Sequence, residues 1–580
     1  MQAVLFKRVF NPPGNNAYNT LSVLFLTCVF HFNVSGQRMA NSLNKGKILF
    51  ETQCGSCHGI SNGNFGPKLG GVHATRPIQE LYSFVKNPEQ FVKNGDARTK
   101  YFLEKYKTVM PAFGHLKDVE IKSIFDFIKQ QNDILKESPL IVETISANSA
   151  NKRYSPAIKP STLCIELEEF INFPKQPNTP LDKGIATLRS SPRQLTEIFV
   201  SDQMGLIYRL KNKQRQVYFD IRKFKPEFTF SPGIGTGLGS FDFHPDFIKN
   251  GIFYTTHAEP FTNKPAINSK AWADSIGVGL QWVITEWKQK NLTDSLFEGT
   301  SREVLRFNTP TTAHGGQDLS FVPNLSKTDA DYGLLYLGIG DGGSNNIKLP
   351  ELCHSPKSLL GTIIRIDPMG KNGVFDSYGI PIDNPFANQT EAGIQKEIYA
   401  FGFRNPHRFA WFDGKFLAAD IGEANIEEIN LIKKGGDFGW SQQEGAWGVK
   451  TKIDKTVLFE ISEAEKQRYI LPIAQYDHNE GKAISGGFVY RGYLTALENK
   501  YIFGDIVTGD LFYMESQNLK AENDIFKISI ISNDKETTLK ELANLKRAHL
   551  RIGYDAQSGD LFLMTKNDQT MRRVKKAYFK

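Results

Sequence analysis

From about residue 160 to its end the chain is written in short apolar or aromatic runs punctuated by Gly, Asp and Pro, a pattern that few architectures can use. The runs include LTEIFVS (195–201), GLIYRL (205–210), GIFYTT (251–256), LLYLGI (334–339), TIIRI (362–366), FLAA (416–419), GFVY (487–490), YIFG (501–504), DLFYM (510–514) and DLFLM (560–564). Runs of this length bounded by turn residues read as strands, and the recurring unit of strand, Gly-Asp turn and strand reads as antiparallel blades repeated around an axis. The 43 Phe and 49 Gly belong to this pattern, because aromatics fill pleated surfaces and glycines permit the tight turns. Residues 161–580 are therefore expected to form an all-β propeller. Their length suits six blades with long loops better than seven or eight compact blades, whose usual repeat is ~40–45 residues. A β-sandwich pair would accommodate the strands and explains the repetition less well.

The chain ahead of this region has a different texture. Lys7 and Arg8 precede an apolar run over 21–32 and then Val34-Ser35-Gly36, which reads as a secretory signal over 1–36 and an exported, periplasmic or secreted protein. A lipid-anchored Cys28 and a retained anchor helix are the other readings of that segment, and any membrane association would run through it. Residues 41–136 read as an all-α unit, with Ile121, Ile124, Phe125 and Ile128 spaced as one helical face. Residues 137–160, rich in Ser, Asn, Pro and Lys, read as a linker. With 40% hydrophobic residues and a net charge of +8, the chain is neither disordered nor basic enough to imply a nucleic-acid partner.

Cys54-Gly55-Ser56-Cys57-His58 is C-x-x-C-H, the attachment signal for c-type haem, in which two thiols bond the porphyrin and the His reaches the iron. A zinc half-site would need a second ligand pair, and none follows. A thioredoxin-like redox pair would sit in an α/β fold, whereas this motif follows a helix in an exported chain. The second axial ligand is expected at Met110, followed by the stiffening Pro111, with His73 and His115 as competitors. The segment resembles a class I cytochrome c, including Gly46, Phe50 and Phe125 at the positions where such domains cross their terminal helices.

A cytochrome joined to a second domain implies a redox partner, and no G-x-G-x-x-G follows a strand to open a helix. Gly-flanked polar clusters occur instead: FDFHPDF (241–247), HGGQ (314–317), GIGDGG (338–343), LGTIIRIDP (360–368), FRNP (403–406), DIGE (420–423), EINLI (428–432) and GGDFGW (435–440). In this order they resemble the glucose/sorbosone dehydrogenase family, six-bladed propellers that use pyrroloquinoline quinone (PQQ), and the stretch 404–440 is the most specific.

The resemblance implies roles residue by residue. His314 matches the catalytic base, a side chain suited to taking a sugar hydroxyl proton near neutral pH. Asp341 matches the acid that orients it. Arg404 matches the cation that polarises the reacting quinone carbonyl, and Asn405 its cofactor-binding neighbour. Gly422 and Glu423 match the backbone carbonyls that hold Ca²⁺, a hard ion preferring oxygen ligands. Arg551 matches a cofactor-carboxylate arginine, and His549 replaces a second one. The family glutamine falls at Gly235 or Thr236 and the family lysine near Val507, so fewer cations are expected to face the PQQ carboxylates. His244 is expected to cap a turn, and Cys164 and Cys353 are two spare thiols. The implied activity is oxidation of an aldose C1 hydroxyl, or a related aldehyde hydrate, on PQQ. Electrons then leave singly through the chain's own haem c to an acceptor of the respiratory chain. A Ca²⁺-dependent lactonase, and a quinone-free propeller that binds a glycan or protein, are the alternatives.

Overall fold

A computed structural model describes residues 42–55, 58–60, 66–106, 110–135, 153–175, 183–192, 197–231, 233, 235–451, 454–545 and 547–580. The expected signal segment, Cys28, Cys57 and the greater part of the expected linker lie outside the described residues. Among the described residues no helix is long and apolar enough to cross a membrane.

The helical unit opens with a helix over 42–49 that widens into the turn Phe50–Cys54, and continues with helices Ile78–Lys86, Pro88–Lys93, Ala97–Tyr106 and Asp118–Leu135. In the last of these, Ile121, Ile124, Phe125 and Ile128 are all buried, as their spacing requires. The first and last helices cross at Gly46, where a Cβ would lie 1.9 Å from the Ser123 carbonyl oxygen, so only glycine permits the approach. Phe50 packs on Phe127 at this crossing with ring centroids 5.4 Å apart, whereas Phe125 stacks on Tyr82 at 6.0 Å. The crossing is thus made by a neighbour of the expected Phe125, two residues further along the same helix.

The remainder is a propeller-like array of antiparallel sheets. Four sheets of four strands follow in chain order, over 185–220, 238–309, 316–401 and 406–477, with a three-stranded flap over 443–459 inserted before the outermost strand of the fourth. The last sheet has nine strands and joins Phe488–Val489, Lys500–Gly504, Leu511–Glu515 and Phe526–Ser532 to Leu550–Asp555, Asp560–Thr565 and Thr570–Phe579. The join is made by Leu163–Asn172, which pairs antiparallel with Thr570–Phe579 and parallel with Phe526–Ser532. The first and last strands of the β-unit therefore share one sheet, and closure of the ring is fixed by main-chain hydrogen bonds between its two ends. Apolar clusters fill the spaces between successive sheets, among them one that runs from Ile252 and Trp282 to Ile364 and Ile398. Tyr154 and Ser155 are held on this unit, both backbone N–H groups donating to the Asp477 carboxylate at 2.7 and 3.2 Å. Cys164 and Cys353 are buried and unpaired.

Candidate active site

The helical unit encloses an apolar cavity lined by Cys54, His58, Leu69, Leu81, Phe84, Phe102, Met110, Ile121 and Phe125 among others. His58 Nδ1 lies 2.7 Å from the Pro67 carbonyl oxygen, and this contact assigns the ring proton to Nδ1 and leaves Nε2 as the lone-pair nitrogen facing the cavity. Gly66 is required here, because a Cβ would come within 2.4 Å of the His58 ring. Met110 lines the same cavity, and His115 is exposed. The donor set His58 and Met110, with Cys54 beside them in an apolar chamber, fits a c-type haem.

This unit also meets the β-unit. Ile48 lies 3.3 Å from the Cβ position of Gly277, and Lys348 is near enough to draw on the Glu51 carboxyl, which burial pushes up. Between the two units is a cleft, walled on one side by Gln53, Cys54, His58, Met110, Pro111 and Phe113. On the other side stand His314, Gln317, Arg404, Asn405, His407, Arg408, Arg547, His549, Arg551 and Lys566.

His314 sits at the entry of strand Gly316–Phe321 with φ 47°, in the left-handed region. The loop can turn there because its next residue is Gly315, whose Cβ would lie 1.9 Å from the Trp282 ring. Asp341, buried after strand Leu335–Ile339, places Oδ1 2.7 Å from His314 Nδ1 and also accepts the Gly343 N–H at 2.9 Å. Trp440 Nε1 donates to its Oδ2 at 3.3 Å. A carboxylate held on both oxygens fixes the proton of His314 on Nδ1 and leaves Nε2 a base. Trp440 is the partner that the sequence did not mark as functional.

Arg404 is buried. Its Nε donates to Glu423 Oε2 at 2.7 Å and Nη1 to the Ile421 carbonyl at 3.0 Å. Burial alone would raise the Glu423 carboxyl, yet Arg404 and Lys455 hold it far below the usual range. Asn405 is anchored by its N–H to Asp420 at 2.6 Å, while its buried Oδ1 has no hydrogen-bond partner. The turn that follows is organised by Glu444. The N–H groups of Glu423, Ala424, Asn425 and Ile426 all donate to its Oε1, at 2.8, 2.9, 2.8 and 3.1 Å. In a trans peptide the carbonyl points opposite to the following N–H, so the carbonyls of Gly422 and Glu423 both face away from Glu444 on one side of the turn. Two hard oxygens presented together fit a Ca²⁺ ion completed by oxygens of a bound cofactor. Among the described residues no group of three or more His, Cys, Asp or Glu side chains is arranged for a metal, so such an ion would depend on these carbonyls.

The described residues lining the cleft include no Asp or Glu, and they include Arg404, Arg408, Arg547, Arg551 and Lys566. Burial, then Arg408 and Arg547, push the Arg551 guanidinium well below its ordinary value, and its buried Nε has no partner. Burial, then Arg408 beside His407 and Arg547 beside His549, pushes both imidazoles well below their ordinary value. An uncompensated buried cation calls for an anion, so the donor set fits a compact polycarboxylate. Arg408, Arg547 and Lys566 enter from three other segments, and Gln317 Nε2 stands 3.6 Å from the Cβ position of Gly235, where the family glutamine was expected. Near Val507 the cleft is lined instead by Ile506. His244 accepts the Asp246 N–H at 3.0 Å, a turn cap as expected.

A family model described as Glucose / Sorbosone dehydrogenase matches residues 191–564, and one described as Cytochrome c matches 43–132. The chain belongs to the glucose/sorbosone dehydrogenase family and carries a cytochrome c domain ahead of it. It is 26% identical over 383 residues to the HIPL1 protein of Arabidopsis thaliana, covering 57% of this chain and 52% of that protein. It is 28% identical over 224 residues to quinoprotein glucose dehydrogenase B of Acinetobacter calcoaceticus, covering 36% and 40%. The matches thus span about half or less of those relatives. Among solved structures, the PQQ-bound form of aldose sugar dehydrogenase from Streptomyces coelicolor is 18% identical, covering 72% of this chain and all of that one, with a TM-score of 0.46.

Proposed function

We propose that this protein is an exported PQQ- and Ca²⁺-dependent dehydrogenase that oxidises the C1 hydroxyl of an aldose, or a related aldehyde hydrate, and delivers the electrons to its own haem c. The observation that carries the reading is one cleft bounded by the haem-ligand residues His58 and Met110 on one wall and by His314 and Arg404 on the other. Counting the nine-stranded sheet as two, the sheets support a propeller of six blades around this cleft. When bound, PQQ supplies a two-electron acceptor for the hydride that leaves C1.

His314 Nε2 takes the hydroxyl proton. Asp341 keeps the imidazole in that tautomer and stabilises the imidazolium that results. Arg404, buried and fixed by Glu423, is a preorganised cation for negative charge developing at a carbonyl oxygen. Arg551, Arg547 and Lys566 hold carboxylates, and the carbonyls of Gly422 and Glu423 hold Ca²⁺. Cys54, Cys57, His58 and Met110 would hold haem c, which when bound would supply one-electron chemistry toward a respiratory acceptor. Hydrolysis would release no electrons and leaves the cytochrome without a task. The test is to add PQQ, Ca²⁺ and a panel of aldoses to the purified protein and follow the haem α-band. Sugar-dependent reduction that His314→Ala abolishes is expected. Failure of PQQ to bind at micromolar concentration would sink the reading.

A further inference from the structure

Gln53 belongs to the helical unit, one residue before Cys54 of the C-x-x-C-H motif. It lines the cleft shared with the β-unit but not the haem cavity, whereas Arg76 and Arg98, the cations suited to haem propionates, line the haem cavity but not the cleft. The Gln53 amide oxygen is buried and accepts no hydrogen bond. A buried acceptor left unpaired is unfavourable, a cost that a donor arriving with a ligand would recover.

The chemistry of the two walls identifies that donor. The wall of the β-unit is cationic and free of carboxylates, which suits an anionic cofactor, and it carries the proton acceptor His314. The wall of the helical unit carries no Lys or Arg, and beside Cys54, His58, Met110 and the buried Phe113 it offers one amide, that of Gln53, and the apolar surface of Pro111. A neutral polyol matches this wall, with a C–H face toward Pro111 and a hydroxyl donating to the amide oxygen.

We propose that Gln53 is a specificity-determining residue of the sugar site, so that the cytochrome unit forms one wall of the substrate chamber as well as carrying the electrons. This inference rests on the dehydrogenase reading given above. A site built to accept a hydrogen bond from one substrate hydroxyl discriminates against the analogue that lacks it.

The test uses the full-length holoprotein with PQQ and Ca²⁺, with sugar-dependent haem reduction as the assay and D-glucose and its monodeoxy analogues as probes. In the wild type one analogue is expected to lose about tenfold in kcat/KM relative to D-glucose. Gln53→Leu is expected to raise KM for D-glucose by about tenfold with little change in kcat, and to erase the discrimination against that analogue. The haem α-band and midpoint potential stay at wild-type values, which separates a substrate contact from damage to the haem unit. Gln53→Glu keeps an acceptor oxygen and restores the discrimination. Wild-type KM and discrimination in Gln53→Leu would overturn the proposal while leaving the dehydrogenase reading intact. Absence of haem reduction by D-glucose, D-galactose and D-xylose in the wild type would instead overturn the reading beneath it.

Discussion

The substitution Glu444→Gln removes one charge and leaves the side-chain shape almost unchanged, so its effect isolates what the carboxylate does. Glu444 is fully buried, and its Oε1 receives the N–H groups of Glu423, Ala424, Asn425 and Ile426 while Oε2 receives Asn425 Nδ2 at 2.9 Å. Hydrogen bonds to an ionised acceptor are roughly twice as strong as neutral ones, a difference of about 0.7 kcal/mol for each N–H. In the variant the amide oxygen faces the four N–H groups, and its NH₂ then faces the NH₂ of Asn425, donor against donor. The expected loss is about 3 kcal/mol of stability in the β-unit. Urea unfolding followed by tryptophan fluorescence reads this unit, and Soret absorbance reads the haem unit separately, which matters because a two-domain chain need not unfold in one step. The fluorescence transition should move to lower urea while the Soret transition stays in place. Calcium affinity measured by calorimetry should fall with it, because the Gly422 and Glu423 carbonyls lose the anchor that aims them. A loss of under about 1 kcal/mol, with unchanged calcium affinity, would refute the account of how this turn is held.

Asp341→Asn should keep the contact to His314 but no longer fix the imidazole proton on Nδ1, lowering kcat by about 10³-fold with little change in KM, as read from steady-state haem reduction. Gly66→Ala should place a methyl within 2.4 Å of the His58 ring, and the pyridine haemochrome assay should show reduced haem incorporation. Burial pushes the Asp242 carboxyl up to about 6 despite Arg189. The folded state therefore holds a proton that the unfolded chain has released, and this group lowers stability as pH rises from about 4 to about 6. Asp242→Asn should gain on the wild type by about 3 kcal/mol across that window in urea titrations at each pH, and a constant difference would contradict the assignment.

The β-architecture was legible because short runs bounded by Gly and Asp can only be strands, and TIIRI is the strand Thr362–Ile366 residue for residue. The closing strand Leu163–Asn172 was not legible, since its pairing with Thr570–Phe579 joins residues about four hundred positions apart and carries no local signal. At the candidate site the pair His314 and Asp341 was readable from the Gly-flanked clusters that carry them. The contact from Trp440 to Asp341 was not, although GGDFGW was among the marked clusters, and neither were Glu444 and Lys566, because a Glu before Gly445 and a Lys in the turn after Thr565 look like ordinary packing or surface residues. The same limit applies to the cations of the cleft: Arg408 lies in a strand and Lys566 in a turn, and only the closed ring brings both to one cleft with Arg551.

The claim that one cleft joins sugar oxidation to the haem is tested most directly by a stopped-flow measurement. Full-length protein loaded with PQQ and Ca²⁺ is mixed with an aldose it oxidises, and the rise of the haem α-band is recorded over a range of protein concentrations. A transfer confined within one molecule predicts a rate constant independent of protein concentration. A rate that grows in proportion to protein concentration would show that electrons pass between molecules and would contradict the account.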